Sequence, residues 1–463
     1  MEIKKTDLLI IGGGVSGLAL DHFVKKLQPN RQSLIVEKTQ RLGGAIESFK
    51  KEGYQGEWGA HGFLNNCAES QELLGDLDLL SKVQEAPLKE FSRFICKGGK
   101  LECLPQNPKK ILSTKLLSWP AKLRVLGDLF TKPKRQDQTV SSWAELRFGP
   151  SIIPFIDAAI TGTYAGDIER LSIGGVMPGL REKELAFGSV LKAVIKGNKV
   201  KGEGAETAPV KKGLPRMQSF SGGMEDLIKG LAQNREVLLG QEAQKIKQAP
   251  FGWQVQTGDY LLEAKQLVLA LPLQEAWKLL NPLVPAPLPP PALAKIYNVL
   301  LGFGPEVEIP YGFGYLAPRV EKRFLLGALF SSKMFPDRTP EGGGLLECLV
   351  GGRLYPERLE RSDEELISSA MEDLSQLLPL PKQPLFAQVL RPTAAIPQPE
   401  MGHDQFLNWR EKLQSPSLQI IGFGWEGIGI NEMNKMAKEA ASNLCSAEVE
   451  GAKQEKEIKG VYF

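Results

Sequence analysis

Side chains that bind metals are scarce in this sequence. Its 463 residues include only five cysteines and three histidines. They are scattered along the chain, with no Cys-x-x-Cys pair and no cluster of cysteine with histidine. A zinc site needs such a cluster, so we predict no metal ion in this protein. A few unpaired thiols are also typical of reducing compartments, and we therefore expect a cytoplasmic protein.

Neither charge of one sign nor a long apolar run dominates the sequence. The 57 lysine and arginine residues nearly balance the 54 aspartate and glutamate residues, which leaves a net charge of +3. Since a nucleic-acid-binding domain is usually strongly basic, we predict no nucleic-acid partner. The apolar stretches are shorter than the ~20 residues that a transmembrane helix requires, and the amino-terminal residues lack the pattern of a secretory signal.

Glycine, in contrast, recurs at informative spacings. In DLLIIGGGVSGLAL, Gly12, Gly14 and Gly17 lie between an apolar strand and a helix, and Glu37 ends the following strand. This βαβ pattern is typical of dinucleotide binding, because the glycines allow a tight turn, backbone contact with a pyrophosphate and close packing of helix on strand. Glu37 would accept hydrogen bonds from a ribose. The predicted contacts of this segment are Gly12, Gly13, Gly14, Val15, Ser16, Gly17, Glu37 and Lys38.

Two more glycine-rich segments favour a flavin over a nicotinamide. The sequence RLGGAIES follows Glu37, and its RxGG turn (Arg41, Gly43 and Gly44, with Ala45 next) is typical of flavoproteins of the amine oxidase group. Near the end of the chain, IIGFGWEGIGI joins a strand to a helix whose amino-terminal dipole would face the flavin ring. The predicted contacts there are Gly424, Ile428, Gly429 and Ile430.

Several longer segments resemble one family nearly from end to end of the chain. They are SRFICKGGKLECLP, TGTYAGDIERLSIGGVMPGL, SFSGGMEDL, GFGYLAP, LGALFSSKMFP and AAIPQPEMGH, besides the glycine motifs. On these segments the chain is similar to the protoporphyrinogen oxidase and coproporphyrinogen III oxidase family, FAD enzymes of the amine oxidase superfamily. The resemblance implies non-covalent FAD and the six-electron oxidation of protoporphyrinogen IX to protoporphyrin IX in haem synthesis, with O2 or another acceptor reoxidising the flavin.

The resemblance also implies an α/β fold in three parts. These are a discontinuous, Rossmann-like FAD-binding domain, a sheet-based substrate domain and a helical, membrane-associated region. The implied boundaries are 1–88, 217–272 and 391–463 for the FAD-binding domain, 89–105 and 273–390 for the substrate domain, 206–216 for a linker of the substrate domain, and 106–205 for the helical region.

Four residues are expected at the substrate on the same grounds. Arg93 matches an arginine that binds a propionate group, for which a guanidinium offers two parallel hydrogen bonds. Gly162 matches a position where backbone lies against the macrocycle, and Leu316 and Phe335 match apolar residues that sandwich the ring. A surface arginine, a turn glycine and ordinary core packing are the competing interpretations. No catalytic side chain is implied, because the flavin itself accepts the hydride.

Further FAD contacts are implied in two places. One is the segment Trp58, Gly59, Ala60 and His61, where relatives carry proline after the glycine and contact through the backbone is expected. The side chain of His61 is more simply interpreted as that of a partly buried histidine. The other place is Ala243, where the family's backbone surrounds the adenine.

Segment 109–135 suggests a partner of a different kind. It holds eight lysine and arginine residues and one acid, with leucines, Trp119 and a phenylalanine between them. This composition is typical of a surface that lies on anionic lipid, which would put the protein at the inner face of the cell membrane as a peripheral protein. An amphipathic helix packed on its own core is the alternative. The family resemblance adds a homodimer and hand-over of product to ferrochelatase as candidate interactions.

Three other functions remain open at this stage. Oxidation of coproporphyrinogen III to coproporphyrin III would use the same motifs, and further cations around the substrate would favour it, since that substrate carries four carboxylates rather than two. An amine oxidase shares the FAD fold, although no cysteine precedes GFGWEGIG for covalent attachment of a flavin. A non-catalytic flavin-binding or carrier protein of the haem pathway would need the glycine motifs but not the substrate segments.

Overall fold

The computed structural model describes most of the chain. The described residues are 1–86, 92–105, 113–200 and 215–460. The implied linker at 206–216 lies outside them up to residue 214, and so do residues 109–112 of the basic and apolar segment.

The strands are numbered here in chain order. They are β1 (Glu2–Ile11), β2 (Ser33–Val36), β3 (Ser48–Lys51), β4 (Tyr54–Glu57), β5 (Phe63–Leu64), β6 (Val83–Glu85), β7 (Phe94–Lys97), β8 (Lys100–Cys103), β9 (Met217–Phe220), β10 (Val237–Leu238), β11 (Lys245–Ala249), β12 (Gly252–Gln256), β13 (Tyr260–Ala270), β14 (Leu293–Ala294), β15 (Ile296–Phe303), β16 (Gly314–Leu316), β17 (Gly327–Leu329), β18 (Gly344–Gly351), β19 (Phe386–Leu390), β20 (Ile396–Pro397) and β21 (Leu418–Ile421).

The α-helices are numbered in the same way. They are α1 (Val15–Leu27), α2 (Ala68–Asp76), α3 (Trp119–Leu126), α4 (Val140–Phe148), α5 (Ile153–Tyr164), α6 (Ile173–Val176), α7 (Pro178–Phe187), α8 (Val190–Val200), α9 (Glu225–Ala232), α10 (Leu273–Leu280), α11 (Ser331–Met334), α12 (Asp363–Ser375), α13 (His403–Leu413) and α14 (Ile430–Gly460).

The first sheet is built around β1 and carries the amino-terminal glycine motif. In the described residues it has seven strands in the order β10-β2-β1-β13-β12-β11, with β21 pairing with β13. Strand β1 is parallel to both β2 and β13. Leu8 to Ile11 at its carboxyl end are buried, as expected for an unbroken apolar run inside a parallel sheet. The predicted βαβ unit, formed by β1, α1 and β2, is confirmed.

The second sheet is largely antiparallel. Across the described ranges its seven strands follow the order β19-β15-β18-β17-β16-β7-β8, and only β16 and β7 run parallel to each other. Helix α12 packs on it, with Leu366 and Leu374 in the same buried cluster as Val299 and Leu346. Strand β7 begins directly after Arg93, so this sheet carries the first predicted substrate residue.

The region between β8 and β9 is helical, and its described residues contain no strand. A buried network of charges joins its helices. Arg147 of α4 pairs with Asp128 at 2.8 Å and with Glu184 of α7, which also accepts a hydrogen bond from Trp143 Nε1 at 2.8 Å. Because removing one partner would leave a buried charge uncompensated, this network fixes the helices relative to one another. No helix in the described part of the chain combines the length and apolar character needed to cross a membrane.

Two glycines determine how α1 leaves β1. Gly12 has a φ of +110°, and a Cβ there would lie 2.4 Å from the carbonyl oxygen of Ala270. At Gly17, a Cβ would lie 2.0 Å from the carbonyl oxygen of Gly12. Helix α1 therefore approaches the end of β1 so closely that no larger residue fits without a backbone shift.

Replacing Gly17 by alanine should lower the free energy of unfolding by about 1–3 kcal/mol, because the new methyl group must displace backbone. The matched control is Gly14→Ala, whose methyl group would meet its nearest atom, Gly44 Cα, at 3.9 Å. We expect that control to change the free energy of unfolding by less than about 0.5 kcal/mol. Thermal denaturation of both variants without added cofactor is the measurement, and equal losses would contradict this assignment of the close contact.

Candidate functional site

The glycine loop after β1 and the RxGG loop meet through their backbones. Gly43 N donates to Gly13 O at 2.8 Å, and Gly14 and Gly43 form an isolated parallel bridge. Gly43 and Gly44 have φ values of +108° and +59°, which explains why glycine is needed in this turn. A side chain at Gly14 would enter open space beside Gly44. The two loops thus form a backbone-lined cradle at the amino terminus of α1.

Glu37 lies at the edge of this cradle with its carboxylate fixed in place. Its Oε2 accepts a hydrogen bond from Gly13 N at 2.8 Å, and its Oε1 accepts from the amide and hydroxyl of Thr39 at 2.9 Å each. The amide of Gln241 donates to Glu37 O at 2.9 Å, which brings the Ala243 segment beside the end of β2. Each carboxylate oxygen can accept more than one hydrogen bond, so Glu37 is suited to bind ribose hydroxyls.

Two basic side chains near Glu37 have local partners. Arg41 donates to Gly44 O at 2.7 Å and to Ile46 O at 3.1 Å, and it forms an ion pair with Glu47 at 2.8 Å. Its guanidinium therefore fixes the shape of the RxGG loop, and direct contact with a pyrophosphate stays a prediction. Lys38 Nζ lies 3.6 Å from Glu275 Oε2 on α10. A contact of Lys38 with a cofactor would therefore be made by its backbone.

The segment from Trp58 to His61 packs against the RxGG loop. Trp58 N donates to Glu47 O at 2.9 Å, and a Cβ at Gly59 would lie 2.1 Å from the carbonyl oxygen of Ala45. Gly59 is therefore required for this approach. Ala60 continues the segment toward the apolar core of the first sheet, and His61 turns away to the second sheet.

The carboxyl-terminal glycine segment closes the site from the other side. Gly424 N donates to Gly427 O at 2.8 Å, and Asn431 at the start of α14 donates through Nδ2 to Leu64 O at 2.9 Å. Burial and the nearby charge of Glu432 raise the pKa of Tyr164, at the end of α5, to about 12. Ile430 belongs to the buried cluster of the first sheet, and Ile428 packs against that of the helical region, so this segment, with Gly429, lies between the two.

These segments together fit a flavin dinucleotide. Backbone amides at the start of a helix suit a pyrophosphate, a fixed carboxylate suits a ribose, and the space beside Gly14 is what a bound pyrophosphate requires. The predicted cofactor residues come from distant parts of the sequence, and the fold brings them to one end of the first sheet.

A buried group of charges lies beside the Trp58 to His61 segment, and most of its members were not predicted. Glu347 in β18 binds His61 Nε2 at 2.9 Å and Asn298 Nδ2 at 2.7 Å. Arg338 donates to Glu57 Oε1 at 3.0 Å, and its other terminal nitrogen lies 3.7 Å from Glu347. The side chains of Glu57, Arg338 and Glu347 are at most 1% exposed, so both carboxylates depend on these partners.

The two buried carboxyl groups have different acidities. Burial raises the pKa of Glu57 to about 7, with repulsion from Glu347 adding to it and Arg338 opposing it. Burial acts in the same direction on Glu347, but attraction to His61 and Arg338 and the hydrogen bond from Ser331 outweigh it and hold its pKa at about 2. Glu347 is therefore ionised at neutral pH, while Glu57 can gain or lose a proton there.

The sequence contains a pattern that indicates part of this buried group of charges. Glu347 is the single charged residue in GLLECLVG, and Asn298 is the polar residue among apolar ones in IYNVLLGF. A lone acid in an otherwise apolar strand is expected to be buried and paired. Its partners, however, lie far away in the sequence, and the pattern does not name them.

The four predicted substrate residues form two neighbouring pairs. The Arg93 guanidinium lies 5.6 Å from the centre of the Phe313 ring, and desolvation lowers its pKa. Phe313 packs in one buried cluster with Phe335, which is only 1% exposed. Leu316 packs directly on Gly162, since a Cβ on that glycine would lie 2.7 Å from Leu316 Cδ1. Contact of these residues with a macrocycle stays a prediction.

A cavity lies at the boundary between the second sheet and the helical region, lined by residues of both. Its volume is about 300 Å³, and Ile95 in its wall belongs to the same apolar cluster as Leu316. Ile95 and Lys97 alternate along β7, so their side chains point to the same face of the sheet, and Arg93 directly precedes the strand. Lys97 lines the cavity, with its ammonium donating to Leu116 O at 2.6 Å.

Known proteins resemble the chain over nearly its full length. The family model described as flavin containing amine oxidoreductase matches residues 26–430. Coproporphyrinogen III oxidase of Staphylococcus aureus is 27% identical over 470 residues, covering 94% of this chain and 98% of its own. Protoporphyrinogen oxidase of Bos taurus is 28% identical over 482 residues, covering 95% of this chain and 98% of its own.

A solved structure extends the comparison to the fold. A protein from Exiguobacterium sp., provisionally described as a protoporphyrinogen oxidase, superposes with a TM-score of 0.76 at 20% identity, over 96% of this chain and 99% of its own. This likeness and the family match confirm the predicted α/β fold and the predicted FAD, whereas membrane association of the helical region stays a prediction. The chain therefore belongs to the flavin-containing amine oxidoreductase family and is an FAD-dependent oxidoreductase.

Proposed function

We propose that this oxidoreductase oxidises a porphyrinogen to a porphyrin. The observation that carries the proposal is the pairing of Arg93 with an aromatic and apolar patch that contains Phe313 and Phe335. A porphyrinogen is a flat apolar ring system with carboxylates at its edge, and a cation beside apolar side chains suits both parts. The relatives from Staphylococcus aureus and Bos taurus, both porphyrinogen oxidases by name, support the same substrate class.

The protein's part in this reaction is mainly to bind and orient. When bound, FAD supplies the two-electron acceptor, and O2 or another acceptor reoxidises it. Arg93 would hold a propionate, while Leu316 and Phe335 would pack on the ring and Gly162 would let backbone approach it. Such positioning lowers the barrier by fixing the reacting carbon relative to the acceptor and by excluding water.

Protoporphyrinogen IX is our first candidate substrate, because Arg93 is the one residue predicted to bind a carboxylate. Coproporphyrinogen III is the second candidate, and a specific observation favours it. Lys97 lies two positions beyond Ile95 on the same face of β7, the strand that directly follows Arg93, and it lines a cavity together with Ile95. A substrate with four carboxylates could use this second cation.

Anaerobic flavin reduction in stopped flow separates the two candidates. We expect reduction by both porphyrinogens, faster with protoporphyrinogen IX. Arg93→Ala should raise KM for both about tenfold with a smaller change in kcat, since a lost charge-assisted contact is worth roughly 1.5–3 kcal/mol. Lys97→Ala is the matched comparison and should raise KM for coproporphyrinogen III alone. Faster reduction by coproporphyrinogen III would reverse the order of candidates, and reduction only by amines would replace both.

Retention of FAD tests the cradle itself. Gly14→Val should abolish FAD binding, because its side chain would enter the space that the pyrophosphate needs while leaving the fold intact. Gly179→Val is the control, since a Cβ there meets no atom within 4 Å and the residue lies on α7 in the helical region. Absorbance of flavin in the purified variants gives the answer. A Gly14→Val protein that keeps stoichiometric FAD would refute the assignment.

We further propose that α3 and the turn after it contact membrane lipid. Trp119, Leu123 and Phe130 are 68%, 66% and 88% exposed, so this apolar surface does not pack into the core. Exposed basic residues follow at Lys132 and Lys134. Apolar side chains next to lysines can enter the headgroup region of an anionic bilayer.

Flotation with vesicles tests this contact. We expect the protein to bind vesicles rich in phosphatidylglycerol and to bind neutral phosphatidylcholine vesicles much less. The double change of Trp119 and Phe130 to serine should weaken binding about tenfold or more, because each large side chain contributes roughly 1.5–3 kcal/mol when buried. Leu283→Ser, on an exposed leucine elsewhere, serves as the control. Equal flotation of all three proteins would rule the surface out.

A further inference from the structure

Four ionisable side chains form a buried cluster between the two sheets: Glu57, His61, Arg338 and Glu347. Glu57 ends β4 beside the predicted flavin segment, and Glu347 lies in β18 of the second sheet. Arg338 bridges the two carboxylates, and His61 Nε2 lies 2.9 Å from Glu347 Oε2. The His61 side chain is 15% exposed and is the member of the cluster that reaches an accessible surface.

The cluster has one positive charge too few. Two carboxylates face a single guanidinium, so with His61 neutral and both acids ionised the buried charge would be −1. The remaining polar groups that bond to the cluster are uncharged: Ser48, Ser219, Asn298, Ser331 and the amide of Met224. A buried net charge is costly, and one added proton removes it. Burial, with a smaller contribution from repulsion by Glu347, raises the pKa of Glu57 to about 7.

Glu347 also fixes how His61 is oriented. An ionised carboxylate can only accept hydrogen bonds, so the nitrogen that faces it, Nε2, must carry a proton. When the ring is neutral, the other ring nitrogen, Nδ1, is then the free base. This arrangement resembles other histidines whose orientation a carboxylate fixes, in which the second nitrogen exchanges protons with a substrate.

We propose that His61 is the proton acceptor of this enzyme and that Glu347 is its positioning residue. The inference rests on the proposed function. Over three two-electron steps, three hydrides leave methylene carbons of the porphyrinogen for the flavin and three protons leave for His61 Nδ1, while new double bonds form in the substrate. Two of these protons come from pyrrole nitrogens and the third comes from the remaining methylene carbon, which tautomerisation brings to the oxidation level of the other three. Three such steps remove six hydrogens, and the proton taken up in each step neutralises the buried cluster before it passes to solvent.

The small number of histidines makes the orientation directly measurable. With ¹⁵N-histidine, the FAD-loaded protein should give ring signals from only three residues, His22, His61 and His403. His22 bonds to Asp76 at 3.1 Å near the surface, and His403 bonds to Trp425 O at 2.9 Å, so they provide internal comparisons. His61→Gln assigns the third set. We expect His61 as the Nε2–H tautomer, and an Nδ1–H tautomer would overturn the proposal.

The isosteric variant Glu347→Gln tests the positioning role. An amide offers both a donor and an acceptor, so the Nε2–H tautomer of His61 should no longer be the only one. A spectrum unchanged from the wild type would contradict the role of Glu347. The visible spectrum of FAD and the melting temperature establish that each variant is folded and loaded, and the wild-type spectrum decides the orientation even where a variant is unstable.

The kinetic test uses the rate of anaerobic flavin reduction. In His61→Gln this rate should be lower by about 10²-fold, because the glutamine amide cannot take up the proton, with KM little changed. His22→Gln is the control and should behave as the wild type. An unchanged rate in His61→Gln would overturn the proposal, whereas no reduction of the wild-type flavin by either porphyrinogen would instead overturn the proposed function.

Discussion

The contact between the two sheets depends on buried ion pairs from which water is excluded. Glu57 comes from the part of the chain that forms the predicted flavin segment, Glu347 comes from the middle of the second sheet, and Arg338 bonds to both. Neither carboxylate could remain buried without the other elements in place, because an isolated charge there would cost several kcal/mol. The position of the predicted flavin segment relative to the second sheet is thus fixed by charge rather than by apolar packing alone.

Structural features that depend on residues adjacent in the chain could be predicted from the sequence, whereas contacts between residues far apart in the chain could not. The turn at Gly12 and Gly17 was predictable, since strand, turn and helix are adjacent in the chain and steric limits on glycine are local. The glycine motifs favoured a flavin, and the resemblance of longer segments to one family implied FAD and the α/β fold. The bond between His61 and Glu347 spans 286 positions, and no periodicity or spacing encodes such a pairing. The interpretation of His61 as a simple buried histidine therefore left out its partner.

The predicted substrate residues illustrate a second limit. Resemblance named Arg93, Gly162, Leu316 and Phe335 one by one, but it gave no account of their mutual contacts. In the structure Leu316 packs on Gly162, and Phe335 is 1% exposed and belongs to the same buried cluster as Phe313. These apolar groups fill one another's space when no ring lies between them, as close packing of protein interiors requires. Binding of a flat substrate at this place would therefore involve movement of at least one side chain.

The order of strands in the first sheet has a consequence for the synthesis of the protein. Strand β1 lies beside β13, β13 pairs with β21, and Asn431 bonds to Leu64. The site therefore needs both ends of the chain. At roughly 5–20 residues per second, tens of seconds separate the synthesis of Gly12 from that of Gly424. Throughout that interval the nascent chain exposes the edge of an apolar strand whose neighbouring strand has not yet been made. FAD can therefore bind stably only to an almost finished polypeptide. Until then, this strand is a defined segment for molecular chaperones to protect.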